Sequence, residues 1–281
     1  MIIQRKPNCV ATVVADSISV YGHRLTTFEL VYPRIIHAEL MTHRAFSRNA
    51  QSSRATPVAT LIKSVEENPY VPQEWRMAKK GMQPGKKFNK CDSNWLTKQW
   101  LIARDNAVES AKAMNQIGAA KEHVNRLLEP FSFIRVLVTA TEWQNFFDLR
   151  CSPEAQLEIR ELAEAMRDCL ACSQPVQRVW HLPYVDNPTL VSGLPSQNDF
   201  LRSAARCARV SYLKFDGKEP TVEEDIELAQ KLIVSRHMTP FEHQAVVDRA
   251  GRARFANFTG WMSTRWALEC DRIIYGREKS A

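Results

Sequence analysis

The chain has 281 residues, of which 44% are apolar and 25% charged, and its net charge is +7. That content supports one large domain or two small ones and argues against disorder. No apolar run approaches the roughly 20 residues of a membrane span, and the basic balance suits anionic ligands from nucleotides to nucleic acid without choosing among them.

The opening MIIQRKPNCVATVV lacks the layout of a secretory signal, because Pro7 and Asn8 interrupt it, and a cytoplasmic protein is expected. CVATVVADSISVYG has β-branched runs stopped at Gly22, so strands are predicted near residues 9–21. TTFELVY is a further strand. Pro33 then opens a helix, with Ile36 and Leu40 toward the core, which delivers His43 and Arg44 at its C-terminal end. Arg76 to Lys90 reads as a solvated basic loop. From Asp92 a helical pattern places Leu96, Trp100, Ala103, Ala107, Ala111 and Met114 on one face and ends at Gly118.

A second helix runs to Pro130, FIRVLVT is a strand, and EWQNFFDLR is a short helix. SPEAQLEIRELAEAMRDCLACS is a strong helix, with Ser152 as N-cap and Pro153 in the first turn. Four prolines between 173 and 197 mark a connecting segment. DFLRSAARCARVSY is helical. TVEEDIELAQKLIVSRH opens with a capping box of Thr221 and Glu224, HQAVVDR is a candidate strand, and the remaining tail is mixed and aromatic. The seven cysteines are odd in number and irregularly spaced, which argues against a disulfide framework. Cys169 and Cys172 lie in a helical pattern and read as helix cysteines rather than zinc or redox ligands. The class is α+β and helix-rich.

Three stretches carry chemistry. MTHRAFSRNAQSSRATP combines arginine forks with Ser52, Ser53 and Arg54, the donor set of a phosphate turn, although a plain polar loop has the same composition. SRHMTPFEHQA gathers His237, Thr239, Glu242 and His243. Its spacing fits no zinc motif, and Thr239 with Glu242 equally suits a capping box. In NFFDLRCSPEAQ, Arg150 precedes a helix start, where an anion or electron-rich carbonyl would be favoured; a surface arginine is the alternative.

Together these stretches resemble the flavin-dependent thymidylate synthase family. Its R-H-R-x-x-S-x-N-x-x-S-x-R signature is matched by THRAFSRNAQSSR at His43, Arg44, Ser47, Asn49, Ser52 and Arg54. HMTPFEH, CARVS (Cys207 to Ser211) and NFFDLRCSPEAQLEI match further family segments, as do Arg126 and Pro130. The order differs from the family's, in which the ARVS and TPFEH segments precede the signature. The resemblance therefore implies one circularly permuted α+β domain around a mixed or antiparallel sheet. Its parts are the signature-bearing 24–172, a Pro-rich join over 173–199, the permuted 200–247, and a tail over 248–281 with no counterpart.

The family transfers a one-carbon unit to C5 of dUMP, with FAD as cofactor and NADPH and methylene tetrahydrofolate as co-substrates, in homotetramers with shared sites. Carried over by position, the resemblance puts His43, Arg44, Asn49, Asn145, Leu149, Ser211, His237, Thr239 and Glu242 on FAD. It puts Ser52, Ser53, Arg54 and Arg126 on the nucleotide phosphate, Arg150 on the pyrimidine, and Glu39 beside it. Arg150 and Arg54 are the catalytic candidates. No metal is implied. The chain departs from the pattern at Thr42, Ala50, Ala55, Glu154 and Glu39. Glu39 stands where glutamine is usual. A carboxylate only accepts hydrogen bonds, so facing the base it would favour the cytosine amine over uracil O4; otherwise it points to solvent or pairs with Arg44 or Arg48. The departures leave open a different one-carbon product such as hydroxymethyl, dCMP as substrate, or a flavin- or nucleotide-binding protein without turnover, including a nucleic-acid-associated one.

Overall fold

The computed structural model describes residues 2–81, 83–210, 219–251 and 253–270. The chain opens with β1 (Ile2–Lys6), β2 (Cys9–Ile18) and β3 (Arg24–Pro33). A 3-10 turn, Arg34–Ile36, leads into the short α1 (His37–Met41), with Ile36 and Leu40 fully buried. The strand β4 (Ser47–Ala50) follows, then α2 (Val58–Glu67), the long α3 (Lys90–Gln116), α4 (Lys121–Val124) and a 3-10 segment through Pro130. Next come β5 (Phe133–Ala140), α5 (Gln144–Arg150) and α6 (Leu157–Cys172). The connecting segment holds four two-residue strands: β6 (Val176–Gln177), β7 (Trp180–His181), β8 (Leu190–Val191) and β9 (Leu194–Pro195). Then α7 (Gln197–Ala208), α8 (Val222–Val234), a 3-10 turn Thr239–Glu242 and β10 (Ala245–Val247) lead to β11 (Arg254–Phe255), β12 (Phe258–Thr259), β13 (Trp261–Ser263) and α9 (Thr264–Glu269).

The main sheet has the order β1-β2-β3-β5-β4 and is antiparallel, except that β6 pairs in parallel with the end of β2. β3 and β5 are buried along nearly their whole length, so they are covered on both faces. The two-residue strand period sorts their side chains. Phe28, Leu30 and Tyr32 of β3, with Ile134, Val136 and Val138 of β5, meet Ile159, Leu162 and Met166 of α6. On the opposite face Leu137 packs with Cys207 and Val210, and Leu25 packs with Ala245, Phe258 and Trp261. Each such fully buried aliphatic side chain contributes about 1.5–3 kcal/mol. The C-terminal part thus forms the second cover of the sheet.

That cover is tied down by a strip of buried polar groups. Thr27 Oγ1 lies 2.7 Å from Thr139 Oγ1 and 2.8 Å from His181 Nε2, while Thr139 Oγ1 lies 2.7 Å from His243 Nδ1. Burial pushes His181 and His243 down to about 3, so both are neutral. At the next corner Trp261 Nε1 donates to His23 O at 3.0 Å. Gly260 has φ +72°, and a Cβ there would run into the His23 ring, so both backbone and space require glycine.

Three expectations need correction. Ser152 does not cap α6; its hydroxyl accepts from Glu154 N in a separate turn, and the helix starts only at Leu157 behind Gln156. Thr239 makes no capping box: the 3-10 turn has Met238 as its N-cap, and Glu242 is taken by Arg265. Ala103 is exposed, because it lies off the face through which Trp100, Val108 and Ala111 meet α2 and the segment before β5. The capping box at Thr221 and Glu224 is present with both bonds. Cys169 is buried in α6, and Cys172 is exposed at its end.

Candidate active site

The signature stretch is built by α1, an edge strand and a turn. After α1 the chain turns at Thr42–Ala45 and enters β4, which pairs with β5. The sequence suggested a phosphate turn at Ser52, Ser53 and Arg54; the four residues Ser47–Ala50 before it are strand, held by the hydrogen-bonding edge of β5. The turn proper begins at Ser52, whose carbonyl accepts from Ala55 N at 3.1 Å. Buried Asn125 fixes this turn by donating to Ser53 O and Thr56 O at 2.7 and 2.9 Å. Ser53 is itself buried, whereas Arg54 is exposed.

The HMTPFEH stretch is positioned by the end of α8. Its last turn closes as a Schellman motif: His237 N donates to Leu232 O at 2.9 Å and Arg236 N to Ile233 O at 3.0 Å. Arg236 takes the left-handed conformation, φ 58°, that this motif requires. The turn aims His237 and Thr239 at the signature. Asn49 Nδ2 donates to Cys207 O at 2.8 Å, joining β4 to the last turn of α7.

The result is one open cleft of about 940 Å³. Asn49, Ser52 and Arg54 of the signature line one side, and His237, Thr239 and Pro240 line another. Lys121 and Glu122 close one end, where Arg54 Nε lies 3.1 Å from Glu122 Oε2. Ala50, Ala55, Ala120, Ala208 and Leu232 supply the apolar wall. Sequence reasoning missed Lys121, Glu122 and Leu232; only the fold brings them to the cleft.

A second cluster lies at the junction of α1 and α5. Arg150 Nε donates to His43 Nε2 at 3.1 Å, and Arg150 Nη1 donates to Glu39 Oε2 at 3.3 Å. Glu39 therefore pairs with neither Arg44 nor Arg48. His43 is packed between Phe46 and Phe146, with ring centroids at 5.9 and 4.8 Å. Burial, then the nearby Arg150 and Arg48 charges, holds its pKa below the usual histidine value, so its Nε2 is a ready acceptor. Asn145 and Leu149 lie on the exposed face of α5. Arg150, His43 and Glu39 do not line the cleft. Nor does Arg126, which is exposed and paired with Glu129 at 3.1 Å. Glu242 pairs with Arg265 of α9, a residue the sequence gave no reason to single out. Ser211 lies outside the described residues. Among the described residues no group of three or more His, Cys, Asp or Glu side chains is arranged to hold a metal, and no helix is long and apolar enough to cross a membrane.

Comparison with known proteins decides the family. The profile of the thymidylate synthase complementing protein family matches residues 10–176, more than half of the chain. The chain belongs to that family. With it comes the enzyme class, one-carbon transfer to C5 of a pyrimidine. The matched region of this family member takes in the signature, Arg126 and Arg150 but ends before α7, so the HMTPFEH part lies beyond it. No curated protein sequence matches the chain. Among solved structures, a UMP/dUMP methylase PolB from Streptomyces cacaoi bound with 5-Br UMP is similar at 18% identity and a TM-score of 0.49, covering 60% of this chain and 91% of that one. The same protein bound with 5-Br dUMP gives 18% identity and a TM-score of 0.48, covering 59% and 91%.

Proposed function

We propose that this family member is an FAD-dependent enzyme that methylates dUMP at C5 to dTMP, with methylene tetrahydrofolate as carbon donor and NADPH as reductant. The observation that carries the reading is the cleft. Asn49, Ser52 and Arg54 meet His237 and Thr239 there, though the two segments lie far apart in the chain. Its chemistry fits a flavin dinucleotide: polar and cationic groups stand at one side for a phosphate and sugar chain, and an alanine and leucine wall suits a flat ring. FAD, when bound, would supply the redox chemistry.

The chain's own groups have defined tasks in this reading. Arg54 and Ser52 bind phosphate, with the Ser53 turn as backbone support. Arg150, aimed by neutral His43 and by Glu39, directs its remaining donors at the pyrimidine oxygens and stabilises charge there as C5 becomes nucleophilic. Because the Arg150 cluster lies outside the cleft, a complete site requires a second copy of the chain, consistent with a homotetramer. The hydrogen bond from Asn49 to Cys207 supports residues 24–172 and 200–247 forming one circularly permuted domain. A cytoplasmic setting suits these soluble cofactors.

One observation favours a second substrate. Glu39 keeps Oε1 without a hydrogen bond among the described residues, an acceptor beside Arg150 that matches the cytosine amine of dCMP.

The test is incubation of purified protein with dUMP, methylene tetrahydrofolate, NADPH and FAD, followed by product analysis. The expected result is dTMP, together with FAD uptake seen by absorbance and weakened by His237→Ala. Absence of any FAD binding by absorbance and calorimetry would end the flavin reading; a hydroxymethyl product would replace the methyl assignment, and turnover of dCMP but not of dUMP in a parallel incubation would replace the substrate assignment.

A further inference from the structure

The signature of this chain lacks its first arginine: Thr42 stands there. The Thr42 hydroxyl offers no donor to a ligand, since it donates to Glu39 O at 2.7 Å inside its own turn. Arg48, at a position the signature leaves open, reaches back to this place. Its Nη1 donates to Met41 O at 2.6 Å and to His43 O at 3.2 Å, the carbonyls on either side of Thr42. The guanidinium is thereby held against the backbone of residue 42.

Of the other arginines carried over to the site, three are engaged, whereas Arg44 is exposed and has no ion pair among the described residues. Arg54 is paired with Glu122, Arg126 with Glu129 and Arg150 with Glu39. Arg48 has no ion pair among the described residues, and its Nε and Nη2 make no hydrogen bond among them. The carboxylate that acts on it, Glu242, is held by Arg265. Burial lowers the Arg48 pKa; the Glu242 charge opposes this and the neighbouring Arg44 charge adds to it. A half-buried arginine fixed by two carbonyls and still carrying open donors is a preorganised fork for an oxyanion.

We infer that Arg48 is an oxyanion-binding residue, occupying the place of the missing first arginine and binding a phosphate group of the cofactor or nucleotide. The choice of FAD as the bearer of that phosphate rests on the function proposed above. A role confined to holding the Met41 and His43 carbonyls at the end of α1 is the competing account.

The test measures binding rather than turnover. Wild type, R48Q, R48K and the T42R/R48Q double variant are titrated with FAD by fluorescence and with inorganic pyrophosphate by calorimetry, and Tm is recorded for each. R48Q is expected to weaken both ligands about 10- to 100-fold, the loss of a charged hydrogen-bonding group. It should also reduce the salt dependence of binding, and T42R/R48Q should recover most of the affinity. Should R48Q fail to fold, R48K decides, because it keeps one donor for the carbonyls and loses the fork; binding must still fall about threefold or more. Wild-type affinity in R48Q with a lowered Tm would assign Arg48 to capping and overturn the inference. Arg48-dependent pyrophosphate binding without FAD binding overturns the flavin reading and keeps this one; wild type that takes neither ligand overturns both.

Discussion

Arg150 has one partner on each side, and the partners differ in kind. His43 accepts as a neutral ring, while Glu39 adds a full negative charge beside the group proposed to meet the base. Replacing Glu39 by glutamine keeps the size, removes the charge and restores an amide that both donates and accepts. Competition binding of dUMP against dCMP should then shift toward dUMP, by about 10-fold or more for a desolvated mispaired group. Unchanged selectivity would show that Glu39 only orients Arg150. At this scale the sequence was legible where chemistry is local. His43, Arg44, Asn49, Ser52 and Arg54 stand out through their match to the family signature, since the stretch by itself reads equally as a polar loop, and Arg126 with Glu129 is a helix-type neighbour pair. The pairing of Arg54 with Glu122 and of Arg150 with Glu39 was hidden, because each joins residues brought close only by the sheet and its helices. Arg48 was visible as an arginine but not as one bent back over Thr42.

Elements were legible wherever a single periodicity governed them, as in β2, β3, β5 and α8. They were misread where two local devices competed. Ser152 and Pro153 look like a helix start, yet the hydroxyl closes its own turn and α6 begins a turn later. β4 escaped notice because four polar-flanked residues carry no alternation and are strand only through β5. The Schellman end of α8 places a non-glycine residue, Arg236, at φ 58°. Arg236→Gly should stabilise the protein by up to about 1 kcal/mol while leaving His237 in place, measured as a higher urea midpoint. A destabilised variant would show that the arginine side chain itself supports the turn. The buried strip through Thr27, Thr139, His181 and His243 sets a pH dependence. Both histidines have folded pKa values of about 3 against 6.5 for the ordinary group. The unfolded chain therefore binds more protons in that interval. Their stabilising contribution is complete above about pH 6.5 and is lost progressively as pH falls toward 3. Calorimetry should show Tm falling as buffer is taken from pH 7.5 to 5, and a flat profile would mean that neither ring is held neutral.

For the molecule as a whole, the α+β class followed from the order of periodic segments and the central sheet from the family resemblance, whereas the C-terminal residues as the sheet's second cover followed from neither. No pattern in the tail says that Trp261 packs on Leu25. The packing implies that the N-terminal part cannot stand alone. A fragment of residues 1–173 would bare Leu25 and Leu137 and leave Thr27 and Thr139 without their histidine partners. It should be insoluble or bind no FAD, and a soluble fragment with full affinity would refute the single-domain account. The distribution of charge has a further consequence. Although the net charge is +7, Arg54, Arg126 and Arg150 already hold glutamates of their own chain. At Arg150 the glutamate leaves donors over and serves as a guide, but an anion arriving at Arg54 or Arg126 does not fill a vacancy; it trades places with a carboxylate. The affinity measured there is the difference between two acceptors, and Glu122 and Glu129 behave as internal competitors whose neutralisation would tighten binding without adding a single contact.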